Sequence, residues 1–160
     1  MRVLCCLDGT NVEPITRATT LLSPEVLTLG LIYVIDKGLH HEIEHTRERH
    51  FRPPVPPAAR EHEMVEVEQG SAQEIINEGL RQLSGAETFQ REGRPEREIV
   101  NAAAEWEADL IIICPRAEYR DKHKIGPKSV GHVARFVLDH APCPVFLVRP
   151  MNRDQFPIKR

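Results

Sequence analysis

The densest cluster of chemistry-bearing side chains lies at residues 116–128, where Arg116, Arg120, Lys122, Lys124 and Lys128 stand with His123 and are opposed only by Glu118 and Asp121. Such a loop draws anions. It runs into Gly126-Pro127-Lys128-Ser129, read as a helix start whose free amides and dipole favour a phosphate or other anion. Two readings stand for it, a site for a phosphate-bearing ligand and a solvated basic loop. It is not a Walker A loop, because Pro127 separates glycine from lysine and position 121, where the leading glycine would fall, is aspartate. A second constellation, His41-Glu42-Ile43-Glu44-His45, matches the His-Glu-x-x-His pattern in which two histidines one helical turn apart bind zinc. It sits in a charged, proline-flanked stretch with Glu44 at a position usually uncharged in such helices, so it is read as a chance match and no metal site is assigned. The cysteines, at 5, 6, 114 and 143, lack zinc-ligand spacing and read as reduced, mostly buried thiols. Cys5 or Cys6 meets Cys114 only if their strands are neighbours. The four serines sit in no nucleophile elbow and no carboxylate pair suits acid/base work, so no catalytic residue is assigned and a binding or signalling module is expected.

The elements that must position these groups follow from the apolar pattern. The chain has 160 residues, 41% of them hydrophobic, which suits one globular domain. A formal charge of -3 gives no footprint for nucleic acid, and the longest apolar run, 26–35, is too short for the ~20 residues of a membrane span. The apolar stretch before Asp8 is shorter than the ~7 residues of a signal-peptide core, so the expected compartment is cytoplasmic. Residues 2–7 read as a strand ending in the turn Asp8-Gly9-Thr10, and Ile15, Ala18, Thr19 and Leu22 as the inner face of a helix stopped by Ser23-Pro24. The run 26–35 is a strand buried on both faces. An exposed excursion, 36–62, holds five of the eight histidines and four of the thirteen prolines between 40 and 62. A long helix follows to Leu83, with Gly70 a possible interruption, then a short strand at 87–91, a helix opened by Pro95, and a buried strand at 109–114. Val130, Val133, Ala134, Val137 and Leu138 mark a last helix, and 145–148 a last strand. Strands alternating with helices predict an open parallel α/β sheet.

Leu7-Asp8-Gly9-Thr10, Leu31 to Asp36, Arg91 to Pro95 with Glu98-Ile99-Val100, Ala108 to Ile113, and His140-Ala141-Pro142-Cys143-Pro144-Val145 occur in an order and spacing that resemble the universal stress protein family over residues 2–149. The resemblance implies a flavodoxin-like, Rossmann-like five-stranded sheet of order 3-2-1-4-5 with helices on both faces, and in one branch an ATP site where strand order reverses. It places Asp8 and Gly9 near an adenosine, the backbone of Val34 at the adenine, and the loop after the fourth strand at the phosphates. The implied ligand is a nucleotide, whether ATP, AMP or a cyclic nucleotide. ATP-binding members carry Gly-x-x-Gly, nine residues, then Gly-Ser or Gly-Thr. Here Cys114 and Ala117 replace the two leading glycines, 13 residues (118–130) replace the nine, and Gly131 is followed by His132 in place of the hydroxyl. A Cβ at 114 or 117 blocks close backbone approach to phosphate, so ATP is expected to bind weakly or not at all. The candidate ligand set is Asp8, Gly9, Val34, Cys114, Arg116, Ala117, Gly126, Lys128, Ser129, Gly131 and His132. The resemblance implies a stress-response signalling module; the rival reading is a ligand-free dimeric interaction protein. The last strand, 145–148, should be a sheet edge without internal lysine, proline or bulge, and a homodimer through it is expected. The tail 150–160 would lie beyond the domain.

Overall fold

The computed structural model describes residues 1–22, 27–37, 58–115 and 130–149, with 58–68 described by backbone alone. Five strands and four helices alternate among these residues: β1 (Arg2–Cys6), α1 (Val12–Thr19), β2 (Thr28–Asp36), α2 (Ala58–Gln82), β3 (Glu87–Gly93), α3 (Pro95–Glu105), β4 (Leu110–Ile113), α4 (His132–His140) and β5 (Val145–Leu147). All strand pairs are parallel and the order is β3-β2-β1-β4-β5, the expected open α/β sheet. No helix among the described residues is long and apolar enough to cross a membrane.

β1 is the middle of the molecule. Its residues from Val3 to Cys6 are at most 4% exposed, because α/β crossovers cover both faces of a parallel sheet. Strand alternation divides it: Val3 and Cys5, with Leu7 beyond the strand end, join Val12, Ile15 and Ala18 of α1 and Leu83 after α2. Leu4 and Cys6 join Ile99, Ala102 and Ala103 of α3 and Ala134 and Val137 of α4. Each fully buried leucine contributes about 1.5–3 kcal/mol of transfer free energy.

Several boundaries differ from the sequence reading. α1 ends at Thr19, short of Leu22. The hydroxyls of Thr16, Thr19 and Thr20 donate to the carbonyls of Val12, Thr16 and Arg17, a local competition that weakens continuation, and Leu22 reaches the core from the turn that follows. α2 runs unbroken through Gly70, where a Cβ would meet nothing, and its start at Ala58 takes residues 58–62 out of the expected excursion. β3 extends two residues past Arg91, held by its full register against β2. β4 omits Asp109, whose carboxylate instead accepts from the Arg2 amide at 2.7 Å. β5 stops at Leu147, although the Val148 amide still donates to Ile113.

Gly30 allows a close approach. A Cβ there would lie 2.9 Å from both the Phe89 and Trp106 rings, which pack edge-on with centroids 5.4 Å apart. Both rings are partly buried against the core and must shift to admit the methyl group. Gly30→Ala is therefore expected to lower stability by about 1–3 kcal/mol in urea denaturation; an unchanged midpoint would show that the ring pair yields.

Candidate functional site

Strand order reverses between β1 and β4, so the crossovers leaving these two strands depart to opposite faces and open a crevice at their carboxyl ends. The chain leaving β1 is fastened by its own side chains. Asp8 Oδ1 accepts from the Thr10 amide at 2.9 Å and from the Thr10 hydroxyl at 3.0 Å, and Gly9 takes φ +86°, a left-handed conformation glycine adopts without cost. Asn11, 1% exposed, closes the turn: its Oδ1 accepts from the Asp8 amide at 2.9 Å and its Nδ2 donates to the Cys6 carbonyl at 2.8 Å. Asn11 occupies the N-cap position of α1, yet its side chain makes no capping bond and is spent on the turn.

A cleft of about 410 Å³ lies above this turn. Cys6, Leu7, Ile32, Ile113 and Cys114 form its floor; Asp8 and Asn11 close one side and Tyr33, Val34 and Asp36 of β2 another. The starts of α3 (Pro95, Glu96, Ile99) and α4 (Val130 to Ala134) complete the rim. The lining is mostly apolar with a few convergent polar groups, the pattern of a small-molecule site. Asp8 and Asp36 are exposed, whereas Glu96 is buried and lies in the first turn of α3, with its Oε1 3.7 Å from Nε2 of His132.

The structure brings Asp8, Val34, Cys114, Gly131 and His132 of the expected ligand set to this cleft. Gly9 shapes the adjoining turn. Arg116, Ala117, Gly126, Lys128 and Ser129 lie outside the described residues, as does the His41 to His45 motif. The expected helix start at 126–129 lies outside the described residues; the helix read as including Val130 begins at His132, with Gly131 at φ +85° as its N-cap, so Val130 precedes it. A glycine with positive φ cannot sit inside a helix. Asn11, Tyr33, Asp36, Pro95 and Glu96 were not singled out from sequence. Pro95 opening a helix was legible; that the following carboxylate turns into the cleft was not.

The cysteines are placed as packing. β1 and β4 are neighbours, as a Cys5 to Cys114 encounter requires, and no disulfide joins any of the four cysteines. Burial, then the proximity of Cys114, pushes the Cys5 thiol up to about 12. Burial raises Cys6 well above the ordinary thiol range and Cys143 less far. Neutral thiols are poor nucleophiles and poor metal ligands. Among the described residues no group of three or more His, Cys, Asp or Glu side chains is arranged to hold a metal ion.

The sequence pattern of the Universal stress protein family matches residues 40–149. Curated protein sequences return no match. Among solved structures, the universal stress protein UspA from Lactobacillus plantarum superposes with a TM-score of 0.64 at 20% identity, over 93% of this chain and 97% of that one. A universal stress protein family protein from Arabidopsis thaliana with AMP bound gives 0.55 at 15% identity, over 99% and 97%. A universal stress protein in complex with cAMP gives 0.50 at 18%, over 93% and 96%. At these identities the likeness speaks for the fold.

Two outcomes test the site's construction. Asn11→Ala strips partners from the Asp8 amide and Cys6 carbonyl and is expected to cost about 1–3 kcal/mol in thermal or urea unfolding; a loss under a few tenths would mean that water replaces the side chain. The raised thiols make the folded state hold protons that the unfolded chain releases. Their contribution is full below about pH 9 and is lost as pH rises toward about 12, so the melting temperature should fall across that window, and Cys5→Val should flatten the fall.

Proposed function

The chain belongs to the Universal stress protein family, and on that premise we propose that it is a cytoplasmic stress-response module that binds a nucleotide in the cleft above β1 and β4 and signals by occupancy, without catalysis. The observation that carries this reading is the coincidence of cleft and switch point. The space of about 410 Å³ opens where an open α/β sheet receives its ligands, and Asp8, Val34, Gly131 and His132 meet there from three separate segments. The likeness in fold to structures holding AMP and cAMP supports a ligand of that size. Val34 lies on β2 at the rim, suited to an adenine held by backbone, and Asp8 suits ribose hydroxyls. Cys114 places a buried side chain where a glycine would admit a triphosphate most closely, and ATP is the weaker ligand on this reading.

A second reading concerns assembly. The two sheet edges differ: β3 carries Glu87, Gln90, Arg91 and Glu92 and is protected by charge, with Arg91 paired to Glu105 and Glu92 to Lys37. β5 is Val-Phe-Leu, its side chains half-buried, with neither charge nor proline inside it. An uncharged edge favours pairing with another strand, and we propose a second copy of this chain joined across a two-fold axis.

Calorimetry with AMP, cAMP and ATP tests the first reading. Binding of AMP or cAMP in the micromolar range is expected, with ATP weaker and Val34→Trp lowering affinity at least tenfold by filling the rim. No heat from any of the three at millimolar concentration would favour the ligand-free reading. Light scattering tests the second: a dimer is expected, converted to monomer by Phe146→Asp, and a monomer at micromolar concentration would defeat it.

A further inference from the structure

The described lining of the cleft is richer in carboxylates than in basic side chains. Asp8, Asp36 and Glu96 bring three carboxylates to the lining, and His132 is the one basic side chain among the described lining residues. Glu96 is the carboxylate drawn inward, at 8% exposure, while the two aspartates stand in solvent. It follows Pro95 in the first turn of α3. Its Oε1 lies 3.7 Å from Nε2 of His132, the first residue of α4. The charge therefore sits between two helix N-termini. Gly131 supplies α4 with no side-chain cap, so this is ground on which free amides would otherwise draw a phosphate, and a protein carboxylate already stands beside it.

We infer that Glu96 is a specificity determinant of the cleft, a built-in anion at its α3–α4 end that favours ligands of low negative charge, a nucleoside or its monophosphate, over the triphosphate. The inference deepens, and rests on, the reading of this cleft as a nucleotide site. A carboxylate with little solvent around it repels each added phosphate charge, because the interaction strengthens as the local dielectric falls. The same carboxylate accepts hydrogen bonds from uncharged ribose hydroxyls. Glu96 thus rejects one end of a nucleotide without rejecting the other. Glutamine at 96 would keep the shape and remove the charge.

The experiment is calorimetry of adenosine, AMP and ATP in magnesium-free buffer, so that no divalent cation neutralises the phosphates, against the wild type, Glu96→Gln and Glu96→Ala, each first shown to melt cooperatively. The wild type is expected to take adenosine and AMP more tightly than ATP. In either folded variant the ratio of ATP to adenosine affinity should rise tenfold or more. A ratio that stays put in a folded variant overturns the role of Glu96 and leaves the nucleotide reading standing. A wild type that binds ATP more tightly than adenosine overturns it without any variant. Absence of binding for all three probes in all three proteins overturns both readings together.

Discussion

Everything in this molecule hangs on burying β1 from both sides. Val3 to Cys6 alternate between two apolar layers, and a strand with no solvent-facing side forces helices onto both faces of the sheet. Right-handed crossovers then leave one arrangement in which α1 and α2 cover one face and α3 and α4 the other. The chain must reverse direction across the sheet between β3 and β4, and the gap between the crossovers leaving β1 and β4 is the geometric residue of that reversal. The cleft is a consequence of how β1 is covered, and its floor includes residues of β1, β2 and β4, Cys6, Ile32 and Ile113, that the core already requires.

The turn above β1 turns that gap into a shaped site. Asn11 is buried and spends its amide on the turn's own backbone, so Asp8 is held at the rim by hydrogen bonds on both its main chain and its side chain. The starts of α3 and α4 complete the opposite rim, and Glu96 and His132 face each other there. Cys114, on the cleft floor, packs into the α1 and α2 layer.

Much of the fold could be read from residue pattern. The apolar runs of β1, β2 and β4 and the spacing of Ile99, Ala103, Ala134 and Val137 specify strands and helices because buried faces repeat with the period of the element. Boundaries were less legible. α1 stops early because threonine hydroxyls compete for its last carbonyls, and α4 starts late because Gly131 takes a positive φ that no helix contains. Both effects lie below the resolution of an apolar pattern. Gly70 reads as a helix breaker, yet the weak penalty of one exposed glycine is outweighed by the rest of α2.

The candidate site divides in the same way. Asp8, Val34, Gly131 and His132 were legible only through the resemblance to the Universal stress protein family, carried over residue by residue onto matching motif positions, and the structure brings all four to one cleft. By itself the sequence determined the parallel α/β class, the order of its elements and the role of the cysteines as packing, all of which follow from local apolar period and residue type. Only the tertiary structure decided that Asn11 turns inward to bind Cys6 and Asp8, and that Glu96, just another acidic residue at a helix start, is buried against His132 in the cleft. Burial and charge pairing are properties of three-dimensional neighbourhood, and residues distant in the chain become neighbours through sheet topology rather than through any spacing written along it.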